Sequence, residues 1–232
     1  MSTETPPAGR DPQIASRLQI LATEHWSLLA TRALTYQESL GRVNMFLAVL
    51  SGAVIALALI AQADHFGAAF IAIAIFMLAV VAVVGFFTVS RLISLNRDDY
   101  HWVMAMNRLR NAYLQMHPEL EPHFFTSPHD DLLGVVRTMG IEPSGQRGGS
   151  VVHGLTTLPG MVSVIVAAVT GAIAGLVAAG FGTPPAGIVL VGIAGFVMAL
   201  ALMVTWQRRD IRRGSEFESR FPTPPKPPTS TR

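Results

Sequence analysis

Two stretches of the chain, residues 43–89 and 161–206, contain no lysine or arginine and between them a single carboxylate, Asp64. A helix of about 20 apolar residues crosses the ~30 Å hydrocarbon core of a bilayer. Each stretch is about twice that length, so each must fold back on itself. The turn signals fall near the middle of both. They are Asp64-His65-Phe66-Gly67 in the first and Gly182-Thr183-Pro184-Pro185 in the second, where glycine and proline end one helix and proline restarts the next. The expected spans are 43–63, 68–89, 161–181 and 188–206, and turns this short make each pair an antiparallel hairpin. Charged residues are 14% of the 232-residue chain, against about a quarter in soluble domains.

Orientation follows from the cations. Arg10, Arg17, Arg32 and Arg42 precede the first span, Arg91, Arg97, Arg108, Arg110, Arg137 and Arg147 lie between the hairpins, and Arg208, Arg209, Arg212, Arg213, Arg220, Lys226 and Arg232 follow the last. These are all 17 basic residues, and neither hairpin turn holds one. Basic loops stay on the cytoplasmic side, so both termini are expected in the cytoplasm and the protein in the cytoplasmic membrane. Ala61-Gln62-Ala63 has the look of a signal-peptidase site, but about forty residues and a span-length apolar run precede it, unlike a secretory leader. Cysteine is absent, which excludes disulfides, thiolate metal sites and a cysteine nucleophile. The single lysine against many arginines, with heavy Ala, Val and Gly usage, suggests a GC-rich bacterial gene.

The regions flanking the first hairpin read as helices. Asp11-Pro12 is a helix start, after a disordered stretch at 1–11. Trp26, Leu29, Ala33, Tyr36, Leu40 and Val43 then recur at alternating steps of three and four. After the second span, Leu92, Leu95, Asp99, Trp102, Met106, Leu109, Tyr113 and Met116 do the same. Both rows have coiled-coil spacing. They predict a cytoplasmic antiparallel stalk, residues 12–116 with the hairpin at its end, whose interface is Trp26, Leu29, Tyr36, Leu40, Leu95, Trp102, Met106, Leu109 and Tyr113. The fold class expected is thus all-α: a polytopic membrane protein of four transmembrane helices in two hairpins, with that stalk.

Residues 117–152 break the pattern with Pro118, Pro122 and Pro128. Ser127 is placed to cap a short helix with Asp130 and Asp131 in its first turn, apolar residues from Leu132 to Met139, and Gly140 as its stop. A Gly-rich linker at 144–150 leads to the second hairpin, in 153–206. His117, His123, His129, Asp130 and Asp131 are the only candidates for a metal site, since histidine and carboxylate suit divalent ions. Their sixfold spacing and the intervening prolines put turn and cap chemistry ahead of that role. His129-Asp130 also matches the doublet of HD-type phosphohydrolases, without room for the rest of such a domain. The tail, 207–232, opens with Arg208, Arg209, Arg212 and Arg213, which suit anionic headgroups at the inner face. It continues as a proline-rich, disordered, extended segment.

No Asp, Glu, Lys, Arg or His lies deep in a span. Intramembrane ionisable groups mark proton relays and coupled transport, so a coupled transporter is not expected. The spans carry small-residue rows instead: Ser163, Ala167, Gly171, Gly175 and Ala179 in the third, and Ala48, Gly52 and Ala56 in the first, all at steps of four. Such rows let helix backbones approach closely, within the chain or between copies.

Two resemblances follow from these residues. Met106-Asn107-Arg108-Leu109-Arg110-Asn111-Ala112-Tyr113-Leu114, with Pro118-Glu119-Leu120-Glu121-Pro122 and His129-Asp130-Asp131, resembles segments of uncharacterised actinobacterial membrane proteins, which implies a membrane location. The order helix, two spans, helix over about the first 120 residues resembles SLATT-type two-span effectors, which implies a membrane pore.

The function expected is a non-enzymatic membrane scaffold or assembly protein that docks a cytoplasmic partner through the stalk. The alternatives are an oligomeric channel or pore, and an enzyme or metal-binding protein using His117–Asp131. Neither a cofactor nor a nucleic-acid partner is expected. The expected partners are the bilayer with anionic lipid, a second copy, and a cytoplasmic protein.

Overall fold

The computed structural model describes residues 12–140, 154–214 and 218–225, with backbone alone at 211–214. The expected disordered start at 1–11, the linker at 144–150, the side chains of Arg212 and Arg213 and the last seven residues lie outside the described ones. The described residues are helical throughout their regular structure, with no strand. Helix α1 is Pro12–Asp64, α2 Ala68–Met116, α3 Leu132–Thr138, α4 Leu158–Gly180 and α5 Pro185–Gly214, with a 3-10 turn at Pro118–His123. Four of these, α1, α2, α4 and α5, are long and apolar enough to cross a membrane. At ~1.5 Å per residue, α1 and α2 are each well over twice the length a bilayer core needs.

The breakers act where the sequence puts them. His65 and Phe66 take left-handed backbone angles (φ 48° and 62°), which end α1 because such angles cannot continue a right-handed helix. The N–H of Gly67 donates to the carbonyl of Asp64 (2.9 Å). The Asp64 carboxylate accepts from the N–H of Phe70 (2.8 Å), satisfying one of the donors that the first turn of α2 leaves open. Gly182 (φ 71°) ends α4 in the same way, and Thr183 N–H reaches back to the carbonyl of Ala178 (3.2 Å). Thr157 caps the start of α4 through the N–H of Gly160 (3.3 Å).

The chain divides into two compact units, to both of which α1 and α2 contribute. One comprises Tyr36–Arg97 and Ser144–Glu216. Its core gathers Phe46 from α1, Val81, Val89 and Leu92 from α2, Val162 and Val166 from α4, and Met203 from α5. Gly85 makes this junction possible: a β-carbon there would strike Val166 and lie 2.9 Å from the Phe46 ring. At Gly171 a β-carbon would lie 2.7 Å from the carbonyl oxygen of Gly192 and 3.0 Å from Phe196 Cβ. Helices α4 and α5 therefore meet backbone to backbone. Two polar contacts fix this unit further. Gln207 donates to the buried Ser163 hydroxyl (2.7 Å), and Arg91 donates through two nitrogens to Glu38 (2.9 and 3.1 Å).

The small-residue rows separate accordingly. Ser163, Ala167, Gly171 and Gly175 are buried and Ala179 half-buried, so that row packs within the chain, one of the two uses expected of it. In contrast, Ala48 and Gly52 are exposed and Ala56 half-buried.

The other unit comprises Met1–Thr35, Asp98–Pro143 and Phe217–Arg232. Leu28, Val103, Met104, Met106 and Val135 form its core. Arg32 holds Asp99 through two bonds (2.6 and 3.2 Å).

The expected interface of α1 needs correction. Trp26 is 71% exposed, and Leu29, Tyr36 and Leu40 are exposed as well. The inward residues are one position earlier: Leu28 and Arg32 in one unit, Ser39, Arg42 and Phe46 in the other. Both rows have three-and-four spacing, so periodicity alone does not choose between them. Charge does. Asp99 is buried on α2, and a buried carboxylate must be paired, so α1 turns Arg32 rather than Trp26 towards it. On α2, Leu95 and Met106 are buried, and Trp102, Leu109 and Tyr113 half-buried.

Candidate functional site

The densest polar arrangement is built on Asp130. Helix α2 supplies Asn107, fully buried, and Arg108, one residue on. Asn107 donates its amide to the carbonyl of His129 (2.7 Å). Its own oxygen accepts from Thr138 (3.1 Å) and Arg110 (2.6 Å). This clamps the loop that precedes α3. Gly134 then sits directly on the His129 carbonyl, where any β-carbon would collide with it. The loop is held from below by an amide and from above by a bare helix turn.

The cap differs from expectation. Asp131, not Ser127, caps α3, accepting from the N–H of Gly134 (3.0 Å). Ser127 closes the turn before it, accepting from the N–H of His129 (3.1 Å). The prolines and the short loop leave room for only one residue in the capping position, and the one directly before Leu132 takes it. Gly140 ends the helix region with φ 69°, as its backbone freedom suggests.

Asp130 is left buried, with its carboxylate turned towards the chain's own tail. Arg108 Nε donates to Oδ2 (2.6 Å) and so does the N–H of Arg220 (3.0 Å). Ser219 Oγ and the N–H of Phe221 donate to Oδ1 (2.6 and 2.7 Å). The Phe221 carbonyl in turn accepts from the N–H of Asp130 (3.2 Å). Arg108 extends a second bond to the carbonyl of Glu218 (3.1 Å), and Thr223 donates to Asp131 (2.7 Å). Four donors on one carboxylate fill its acceptor capacity. Burial alone would push Asp130 up, but the bonds from Ser219, Arg220, Arg108 and Phe221 together hold it well below the usual carboxylate range. Asp131 is lowered too: burial opposes this, and the bonds from Thr223 and Gly134 outweigh it.

The tail is thereby corrected. Residues 207–214 continue α5, and 218–225 lie docked and non-helical instead of disordered. Sequence reasoning missed Asn107, Arg108, Ser219 and Thr223 as functional residues. Nothing local in the sequence pairs Ser219 with an aspartate 89 positions earlier. The only hint was Pro222 and Pro224, which favour an extended, low-entropy backbone ready to be bound.

The metal candidates are not brought together. His117 Nδ1 lies 2.9 Å from Glu119 on the surface, and His123 is exposed. Asp130 and Asp131 are engaged as described, and among the described residues no three His, Cys, Asp or Glu side chains gather as metal ligands. Next to the docked tail an open cleft of about 480 Å³ is lined by Asn111, Gln115, Glu121, His129, Arg220 and Phe221, among others. Of the headgroup candidates, Arg208 and Arg209 are exposed on α5, while the neighbouring Asp210 pairs with Arg97 (3.3 Å). Compared with protein-family models, curated proteins and solved structures, the chain has no significant match in any of the three.

Proposed function

We propose that this chain is a non-enzymatic scaffold or assembly protein of the cytoplasmic membrane. Its four spans form two antiparallel hairpins, with both ends in the cytoplasm, and α1 and α2 continue beyond the bilayer as a paired stalk. The observation that carries the reading is the outward row of α1. Trp26, Leu29 and Ala33 are exposed at steps of three and four, on a helix whose other side already bonds Asp99 through Arg32. An exposed apolar row of this kind marks an interaction surface, and its spacing suits a partner helix. The distribution of all 17 cations outside the hairpin turns supports the orientation.

The test uses the absence of native cysteine. Chains carrying Trp26→Cys or Leu29→Cys, with Glu24→Cys at an exposed position as control, are crosslinked in intact cells. The scaffold reading expects one defined adduct from the first two and none from the control. Equal, diffuse crosslinking at all three would overturn it.

A second reading, an oligomeric pore, draws support from α1 as well. Gly52 is exposed with nothing within 4 Å of where its β-carbon would be, so an outward small-residue seam exists on α1 rather than α4. Induced expression should then make cells leak dye, and Gly52→Ile should stop it. Tight membranes at high expression would sink the pore.

A further inference from the structure

Resting on the docking-scaffold reading, and naming the chemistry of a ligand for it, we propose that Arg108, Asp130 and Asp131 form a peptide-binding site. Ser219–Thr223 occupies that site as a replaceable ligand in cis. The ligand class is an extended peptide with a hydroxyl residue, two residues whose backbone N–H groups are free, a proline, and a second hydroxyl residue.

The contacts define this pattern. The Ser219 hydroxyl and the N–H groups of Arg220 and Phe221 go to Asp130, and the Thr223 hydroxyl goes to Asp131. All four are main-chain or small-hydroxyl interactions. The side chains of Glu218, Arg220, Pro222 and Pro224 stay exposed. Any segment presenting the same donors therefore meets the same acceptors. Recognition by backbone hydrogen bonds to an extended strand, with a few side chains adding selectivity, is a recurrent way of binding peptides.

The receptor half is built without the tail. Asp131 is fixed by the N–H of Gly134, the His129 carbonyl by Asn107, and Asp130 by Arg108. A site that keeps its shape when empty loses little entropy on refilling. Departure of the tail would nevertheless leave Asp130 with three of its four donors missing. A carboxylate short of donors favours another donor-rich strand. The tail holds its place through tethering, which gives it an effective concentration in the millimolar range. A trans ligand displaces it when the tail's own donors are weakened.

The site also has a built-in selectivity. Its two hydroxyl contacts end on carboxylates at 2.6 and 2.7 Å. A phosphorylated serine or threonine offers no such donor and brings close to two negative charges against each carboxylate. The site accepts unmodified hydroxyls and rejects phosphorylated ones.

The experiment uses a fluorescent synthetic peptide of residues 218–225 and the detergent-purified full chain, read by anisotropy. The chain carrying Ser219→Ala and Thr223→Ala should bind it saturably, and the unaltered chain at least tenfold more weakly. A peptide with phosphoserine at 219, or with alanine there, should bind the altered chain at least tenfold more weakly than the unmodified peptide does. Adding Asp130→Asn to the altered chain should abolish binding. Equal affinity of the two chains, or indifference to the peptide's serine, would overturn the proposal. The peptide variants keep the proposal open to refutation even if Asp130→Asn fails to fold. Leu29→Glu in the chain carrying Trp26→Cys should leave this binding intact while removing the α1 crosslink, so the failure of one reading is told apart from the failure of the other.

Discussion

Asp130 and Phe221 bond to each other twice. The N–H of Phe221 donates to the Asp130 carboxylate at 2.7 Å, and the N–H of Asp130 donates to the Phe221 carbonyl at 3.2 Å. A side chain and a main chain thus hold one residue of the tail from both sides. Asp130→Asn exchanges an acceptor for an amide and strips Arg108 of its counter-charge. Arg108 is about one-third exposed, so solvent screens part of the loss, and a destabilisation near the lower end of the ~3–5 kcal/mol seen for broken buried pairs is expected. Limited proteolysis after Arg220 should accelerate strongly in the variant, while the helical circular dichroism stays unchanged.

The same carboxylate sets a pH limit. Its folded pKa lies below its unfolded one, so its contribution is complete above the unfolded value of ~3.9 and is lost as pH falls through the folded value. Asp131 acts in the same direction. Amide-exchange protection at Arg220 and Phe221, corrected for intrinsic exchange, should be flat from pH 8 to pH 5 and collapse only in strong acid. A midpoint near neutrality would show that another group controls docking.

Glycine at 134 is required by contact, not by conformation. Gly134→Ala would force its methyl against the His129 carbonyl, and backbone is poorly able to yield. Overpacking of this kind costs about 1–3 kcal/mol. The variant should lose tail protection along with thermal stability. Gly140→Ala, whose site is sterically open but has a positive φ, should cost only ~1 kcal/mol and leave the tail protected.

Gly171→Ile and Gly52→Ile should behave oppositely. The first pushes a branched side chain into the α5 backbone, with Gly192 O at 2.7 Å from the new β-carbon. It should lower the yield of folded protein on size-exclusion chromatography. The second enters open space and should leave folding intact, whatever it does to association.

For Arg32 and Asp99 a double-mutant cycle is informative. Asp99→Leu alone leaves a half-buried guanidinium beside an apolar surface, and Arg32→Met alone leaves a buried carboxylate unpaired. Each should destabilise more than the pair of changes together. Additive single effects would mean that the ion pair does not set the facing of α1.

The apolar blocks, the two turns and the four candidate spans were legible because hydropathy and breakers are local signals. The facing of α1 was not, since two neighbouring rows share one spacing and the choice depends on Asp99, 67 positions from Arg32. The tail site was half visible. His129-Asp130-Asp131 stands out in the sequence as a histidine-carboxylate run, but the donors that fill Asp130 lie about 90 residues away, and no pattern in Ser219–Thr223 names them. A capping role was foreseen for this loop, and it fell to Asp131 instead of Ser127, since one residue separates a cap from a turn.

The span between the two halves of the Asp130 site has a consequence for synthesis. Asp130 leaves the ribosome 89 residues before Ser219. At ~5–20 residues per second this is a delay of roughly 4–18 s, during which α4 and α5 must be made and the carboxylate has only Arg108 among its four final donors. In a chain that ends within that interval, Asp130 has not yet met the donors from Ser219, Arg220 and Phe221. Completion of the tail supplies the remaining three.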